Sequence, residues 1–157
     1  MSEGEHWDAI YGQKGPAEVS WYRPPSAIER AKERLGMMAA AVRWLLGDIT
    51  SVELPEQRYE FWHDRAVFHF LGEGDSRQRY VAAVRRALKP NGHIVVATFG
   101  PPGPEQCSGL PVMRYSAEGI HAQFGGEFRK VASRSEVHLT PWGAEQEFVY
   151  CYCRMPG

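Results

Sequence analysis

The stretch that decides the fold runs from residue 88 to residue 99 and reads L-K-P-N-G-H-I-V-V-A-T-F. Pro90, Asn91 and Gly92 are a turn signal, because proline ends a helix and Asn-Gly favours a reversal of the backbone. The residues His93–Phe99 are rich in β-branched side chains, which predicts a buried strand. A helix that stops at a turn and leads into a buried strand is typical of layered α/β folds.

The residues before this stretch predict the helix. Asp75 and Ser76 suit an N-cap, and Tyr80, Val84 and Leu88 recur at helical spacing on one apolar face. Three more elements are predicted nearer the N-terminus. They are a capping-box helix over residues 26–35, a strand over Ala39–Leu46 that ends at Gly47–Asp48, and a strand that begins at Tyr59 within residues 59–67.

The C-terminal third predicts a helix and a hairpin. A helix begins at Ser116 and ends near Gly125, and strands over Phe128–Val137 and Gln146–Arg154 flank a turn at residues 141–143. Strands that alternate with helices indicate an α/β fold with a largely parallel sheet and an antiparallel hairpin at one edge. The length of 157 residues predicts one domain, with an aromatic N-terminal arm (1–25) and an α/β core (26–157).

Charge, hydropathy and cysteine content narrow the classes of function. Lys plus Arg number 18 and Asp plus Glu 19, so the net charge of −1 argues against nonspecific nucleic-acid binding. No apolar run of about 18 residues occurs, so no membrane span is predicted. The N-terminal residues lack the pattern of a secretory signal, and the three cysteines are too few for a disulfide framework. We therefore expect a cytoplasmic protein.

The cysteines also raise the question of a metal site. Cys151 and Cys153 share one face of the last predicted strand. Together with His63, His69 and Cys107 they could hold a metal or metalloid. Their spacing matches no closed zinc motif, and buried cysteines are more often small core residues. The sequence therefore predicts no metal.

Polar residues follow the predicted strands where ligands bind to open parallel sheets. Asp48 is a candidate for an adenine amino group or a ribose, or else a turn residue. His63 and Asp64 form a candidate base or substrate-positioning pair, or else a polar strand end that caps the next turn. Arg65 could clamp a carboxylate, and Arg114 and Trp142 could line an acceptor pocket.

The N-terminal arm contains four aromatic residues that either close over a substrate or cover the open end of the sheet. These residues are Trp7, Tyr11, Trp21 and Tyr22.

Taken together, these segments resemble a class I S-adenosylmethionine-dependent methyltransferase of a bacterial small-molecule subfamily. The segment L-K-P-N-G-H is similar to the family's L-K-P-G-G segment before strand five. The stretches WDAIYGQKGPAEVSWY, WHDRAVFHFL and TPWGAEQEFVYC are similar to that subfamily, and Gly47–Asp48 closes a strand where the family places an acidic residue near the adenine.

The resemblance implies a Rossmann-like sheet with helices on both faces and S-adenosylmethionine as cofactor. It implies cofactor contacts at Asp48, Ile49 and His63, catalysis by His63 and Asp64, a small-molecule acceptor, and substrate contacts by the arm.

The chain departs from the family pattern before Asp48. No G-x-G occurs there, and too few residues separate Trp21 from Ala27 to hold the family's first strand, glycine-rich turn and second strand. We therefore expect a truncated sheet of about five strands, in which residues 39–46 move in beside the strand that begins at Tyr59, and a homodimer. Two functions stay open: a methyltransferase with a rebuilt cofactor site, or a noncatalytic binding or interaction protein on the same fold.

Overall fold

A computed structural model describes residues 25–72 and 74–157 of the chain. The chain divides between Gly47 and Asp48 into two compact units. In the first unit, helix α1 spans Pro25–Leu35 and a 3-10 helix follows over Gly36–Ala41. Gly36 has a φ of 55°, a left-handed conformation that glycine adopts at little cost, and it ends α1 where the sequence predicts.

The strand predicted over Ala39–Leu46 is wrong. Its first residues belong to the 3-10 helix, and residues 42–46 have no regular secondary structure. The hydrogen bonds of this segment join residues that are close in sequence. The Val42 N–H and the Trp44 indole Nε1–H both donate to the carbonyl of Ala39, each at 3.2 Å. A short apolar run does not by itself distinguish a strand from helical turns, and here the backbone bonds locally rather than to a neighbouring strand.

The second unit alternates strands and helices in the order the sequence predicts, except that two short strands form within residues 100–111, where the sequence predicts a loop. Its elements are β1 (Tyr59–Arg65), α2 (Asp75–Ala87), β2 (Leu88–Phe99), β3 (Gln106–Cys107), β4 (Leu110–Pro111), α3 (Ala117–Phe124), β5 (Arg129–Leu139) and β6 (Glu145–Arg154). The main sheet has the order β1-β2-β6-β5, with β1 parallel to β2 and the other neighbours antiparallel. It has four strands rather than about five because residues 39–46 do not form one, and the C-terminal hairpin is confirmed as β5–β6.

The core lies between the sheet and helices α2 and α3, which cover the same face. Ile94 and Val96 of β2 and Cys151 of β6 point to this face and join a buried cluster with residues of both helices. Phe68 is fully buried there, with its ring centroid 5.0 Å from that of Tyr80. Burial of one such aromatic side chain contributes about 2 to 3 kcal/mol to stability. Both helices of this unit are thus committed to one face of the sheet.

One edge of the sheet gathers the ends of several strands, and we call it the carboxyl edge. Arg65, the last residue of β1, lies beside Ala97 of β2, and Phe99 at the end of β2 lies beside Phe148 of β6. Strand β6 begins three residues before Phe148, so the β5–β6 turn projects beyond the same edge. Ligands of open α/β sheets bind at the carboxyl ends of parallel strands, so any site on this unit is expected here.

Candidate functional site

Asp48 opens a tight turn at the start of the second unit. Its Oδ1 accepts hydrogen bonds from the Thr50 N–H at 2.7 Å and the Thr50 hydroxyl at 2.8 Å, and its carbonyl accepts from the Val52 N–H at 2.7 Å. The residue is exposed, while the neighbouring Ile49 packs against the buried core. The turn therefore presents an oriented, solvent-accessible carboxylate beside an apolar side chain anchored to the core.

Asp64 is buried, with 6% of its surface exposed, and its oxygens are already engaged. Oδ1 accepts from the Val67 N–H, and Oδ2 accepts from the Phe68 N–H and from the Tyr80 hydroxyl at 2.5 Å. The Trp62 indole in turn donates to the Tyr80 oxygen at 2.9 Å. These contacts match the alternative interpretation of Asp64, a carboxylate that caps the turn after β1.

Burial changes the acidity of this pair. Desolvation raises the pKa of Asp64, against the lowering effect of the hydrogen bond from Tyr80 and the two backbone N–H groups. Burial also raises the pKa of Tyr80 well above its ordinary value, and the adjacent Asp64 carboxylate adds to the rise. Tyr80 therefore remains a hydrogen-bond donor throughout the ordinary pH range.

His63 lies on the opposite face of the sheet from Asp64, because successive residues of a strand point to opposite sides. It is exposed, and its Cα neighbour across the sheet is Val95. On the same face, the His93 ring stacks between Phe61 and Tyr152, with centroid distances of 6.2 and 5.9 Å. The structure therefore does not bring His63 and Asp64 together as one acid–base pair.

Arg65 extends from the end of β1 over the face of the sheet opposite to α2 and α3. Its Nε donates to the Tyr150 hydroxyl at 3.0 Å, and its guanidinium carbon lies 4.0 Å from the centroid of the Phe148 ring. The remaining guanidinium N–H groups make no hydrogen bond to the described chain. Arg65 is thus a positioned cation at the carboxyl edge, with donors available for an anionic group.

Arg114 serves the loop that follows β2. Its guanidinium donates to the carbonyls of Pro101 and Gly103 at 3.0 and 3.2 Å and to a carboxylate oxygen of Glu105 at 3.0 Å. Trp142 lies in the β5–β6 turn with 56% of its surface exposed. The arm residues Trp7, Tyr11, Trp21 and Tyr22 lie outside the described residues.

A polar pocket of about 410 Å³ opens beside the carboxyl edge. The start of α3, the loop after β2 and the β5–β6 hairpin line it, and its wall includes Ser133, Ser135 and Val149. At Gly100, a Cβ would lie 2.8 Å from Cγ2 of Val149 and 3.0 Å from Oε1 of Glu147. Glycine at this position therefore lets the loop approach β6 closely at the rim of the pocket.

The sequence interpretation did not single out Tyr80 or Tyr150, although each holds a candidate residue in place. Tyr80 entered only as a member of an apolar helix face. The alternation F-V-Y-C-Y-C in the last strand does place Phe148, Tyr150 and Tyr152 on one face. That signal could have indicated an aromatic surface beside Arg65.

Comparison with known families finds one that part of the chain is similar to. Residues 19–96 match the methyltransferase domain family. The matched segment contains the Asp48 turn, β1, α2 and the first residues of the L-K-P-N-G-H-I-V-V-A-T-F stretch. No curated protein sequence matches the chain.

Solved structures share the fold at low sequence identity. An S-adenosylmethionine-dependent methyltransferase from Methanosarcina mazei is 13% identical, with a TM-score of 0.62 over 85% of this chain and 79% of that one. A Burkholderia thailandensis 1,6-didemethyltoxoflavin-N1-methyltransferase with bound S-adenosylhomocysteine is 20% identical, with a TM-score of 0.59 over 88% and 60% of the chains.

The N-methyltransferase NodS from Bradyrhizobium japonicum, in complex with S-adenosylhomocysteine, is 16% identical, with a TM-score of 0.62 over 85% and 64%. The chain thus spans less than two thirds of the length of the second and third of these proteins. Among the described residues, no helix is long and apolar enough to cross a membrane.

Proposed function

We propose that the chain is an S-adenosylmethionine-dependent methyltransferase, which binds this cofactor and methylates a small molecule. The observation that carries the proposal is the family match over residues 19–96, which includes both the Asp48 turn and the parallel strand pair. In folds of this kind, the ligand lies across the carboxyl ends of such strands. The proposal therefore locates the reaction at the carboxyl edge of the second unit.

The Asp48 turn offers groups that fit the adenosine end of the cofactor. Asp48 offers Oδ2, which makes no hydrogen bond to the described chain, as an acceptor for an amino or hydroxyl group, while Thr50 orients the carboxylate. Ile49 supplies the apolar contact that an adenine ring needs. The methionine end lacks the family's glycine-rich turn, since no G-x-G precedes Asp48. Contacts for that end would come from the arm or from a second chain.

When bound, S-adenosylmethionine supplies a methyl group on a positively charged sulfur. The protein then has to exclude water and hold the acceptor in line, which requires positioning more than acid–base help. We assign His63, on the exposed face of β1, to further cofactor contact and to acceptance of a proton from the acceptor. Asp64 acts as a positioning residue, because it fixes the turn after β1.

Acceptor contacts are assigned to side chains around the carboxyl edge and to the aromatic arm. Arg65 would pair with an anionic group of the acceptor, and Arg114 would act by holding the loop after β2. Trp142 in the β5–β6 turn would supply an apolar wall. The arm would close the pocket through its four aromatic residues, Trp7, Tyr11, Trp21 and Tyr22.

The cofactor proposal predicts binding that depends on Asp48. Titration of the whole protein with S-adenosylhomocysteine in a calorimeter should give a micromolar dissociation constant. We expect Asp48→Asn to weaken binding about tenfold or more, because an oriented charged acceptor becomes a neutral amide. Asp75→Asn, at an exposed carboxylate of α2 that pairs with Arg79, should bind like the wild type. Equal affinity in both variants would argue against the assigned site.

The second candidate function is a noncatalytic binding or interaction protein. The absence of the glycine-rich turn before Asp48 favours it, because that turn normally brings backbone N–H groups to the cofactor. The calorimetric titration separates the two functions. No heat and no thermal shift at millimolar S-adenosylhomocysteine or S-adenosylmethionine would favour the noncatalytic protein.

We also propose a cytoplasmic homodimer. The odd and small number of cysteines favours a reducing compartment over a disulfide framework. Within the described chain, β1 is hydrogen-bonded to β2 alone, and Phe61 on it is 55% exposed. An edge strand of this kind can pair with the same strand of a second chain.

The dimer predicts a concentration-dependent sedimentation coefficient. Phe61→Lys should shift the protein to the monomer at micromolar concentration, because a charge would be buried where two β1 strands meet. Leu139→Lys is the matched control. Leu139 is an exposed apolar residue on β5, the outer strand on the opposite side of the sheet from β1. A wild-type monomer at micromolar concentration would refute the dimer.

A further inference from the structure

The core contains two thiols in direct contact. Cys151 and Cys153 lie two residues apart on β6, point to the helix-covered face, and have their Sγ atoms 3.5 Å apart. Both are buried, at 1% and 2% exposure. The third cysteine, Cys107, is on β3 in the separate two-stranded sheet. The two β6 thiols are therefore held at a fixed separation by a strand that is paired on both sides.

The surroundings of this pair favour ionisation of one thiol. The hydrogen bond from Cys151 lowers the pKa of Cys153 to about 7, and the nearby charges of His121 and Lys130 act in the same direction, against burial. The same contact raises the pKa of Cys151. Lys130 also pairs with Glu118 of α3, which places its ammonium group at the junction of the helix and β5.

The polar pocket gives a route towards the thiols. Ser133, in its wall, is the cross-strand neighbour of Cys151, and Val149, also in the wall, precedes Cys151 by two residues on the same face. The cover above is the short helix α3, whose Ala117 lines the pocket as well. A small opening between α3 and the hairpin would therefore connect the pocket to the sulfur atoms.

Two observations decide which thiol-binding ion or compound fits this pair. They are the distance between the two sulfur atoms and the number of other protein ligands nearby. With metal–sulfur bonds of about 2.3 Å, a linear two-coordinate ion needs its sulfurs about 4.6 Å apart, and a tetrahedral ion about 3.8 Å. The observed 3.5 Å excludes the linear case. A tetrahedral ion needs more protein ligands, yet no cluster of three or more His, Cys, Asp or Glu side chains is placed for a metal within the described residues.

We propose that Cys151 and Cys153 form a chelating site for a trivalent arsenical. Such a centre is pyramidal, takes two thiolates at an angle narrower than the tetrahedral one, and carries its own third substituent, so it needs no further protein ligand. With phenylarsine oxide, two As–S bonds form, the arsenic–oxygen bonding is lost, and the oxygen leaves as water with both thiol protons. No electrons are transferred. This site is independent of the methyl-transfer proposal.

The test is native intact-mass analysis of the whole protein with phenylarsine oxide. We expect one phenylarsenic adduct per chain, reversed by 2,3-dimercaptopropanol and retained in excess glutathione. Cys151→Ala and Cys153→Ala should each weaken retention about 100-fold, because the second bond is no longer intramolecular. Cys107→Ala is the matched control and should retain the adduct.

A second measurement uses the wild-type protein, so its result does not depend on whether the variants fold. Trypsin cleaves after Arg134 and Arg154, so both thiols fall in the peptide 135–154. In the wild type, the adduct should be found on that peptide. Three results would each overturn the proposal. They are an adduct on Cys107, an adduct that glutathione removes, and uptake of the arsenical by the denatured protein but not by the native one.

Discussion

Replacement of Asp64 by alanine is expected to lower the free energy of unfolding by about 3 kcal/mol or more. The substitution leaves the N–H groups of Val67 and Phe68 and the hydroxyl of Tyr80 without their acceptor inside the core. Each buried polar group without a partner costs about 1 to 3 kcal/mol. The turn after β1 would lose its cap, and Ala66, whose φ is 67°, would no longer be held in that strained conformation.

Urea unfolding followed by far-UV circular dichroism measures this change. Tyr80→Phe is the informative partner variant, because it removes one donor while the two backbone bonds to Asp64 remain, and we expect a loss of about 1 to 2 kcal/mol. Asp75→Ala removes an exposed carboxylate and should change stability by less than about 0.5 kcal/mol. If Asp64→Ala were as stable as Asp75→Ala, the carboxylate would not be the cap that the geometry indicates.

Most of the second unit could be predicted from local signals. The apolar spacing of Tyr80 and Val84 and the β-branched run after Gly92 correspond to α2 and β2. The predicted turn at residues 90–92 instead belongs to β2, where the register with β1 shifts. Strand β2 begins earlier than the predicted His93, because Leu88 already pairs with Tyr59 before the register shifts. Such signals suffice where periodicity, caps and turns all favour the same element.

The segment before Asp48 shows the limit of such signals. The run AAAVRWLL has the composition of a buried strand, but whether it forms one depends on a neighbour elsewhere in the chain. In the structure its first residues continue a helical turn from Gly36. Nothing within the run itself specifies a hydrogen-bonding partner, so local pattern alone favoured the wrong element.

The place of the candidate residues on their strand could be predicted better than their contacts. The rule that polar residues gather at carboxyl ends singled out His63, Asp64 and Arg65, which lie at the carboxyl end of β1. It could not show that Tyr80, sixteen residues away from Asp64, donates a hydrogen bond to that carboxylate. Strand alternation alone would have separated His63 from Asp64, since neighbours in a strand point to opposite faces.

Two buried side chains, Asp64 and His69, change the free energy of unfolding with pH in opposite directions. The raised pKa of Asp64 means that the folded state binds this proton more tightly than the unfolded state, so its contribution falls as pH rises above about 3.8. Burial of His69 lowers its pKa from 6.5 to about 3, so the folded state binds that proton more weakly. The contribution of His69 is complete above pH 6.5 and is lost as pH falls towards 3.

The His69 effect should dominate acid unfolding. Its ring is fully buried, 4.9 Å from the centroid of Phe99, and its Nδ1 accepts from the Phe99 N–H at 3.4 Å. In this pH range the unfolded chain binds a proton on His69 that the folded chain does not bind. We therefore expect the free energy of unfolding to fall by about 3 kcal/mol between pH 6.5 and pH 4. Urea midpoints measured at half-unit intervals of pH report this slope.

The variant His69→Asn isolates the source of that slope. An asparagine Oδ1 can replace Nδ1 as the acceptor for Phe99, but it does not titrate, so the loss of stability between pH 6.5 and pH 4 should disappear even if the absolute stability falls. His63→Asn is the matched control, because His63 is exposed and should leave the slope unchanged. A wild-type slope retained in His69→Asn would assign the acid sensitivity to another group and contradict a neutral buried His69.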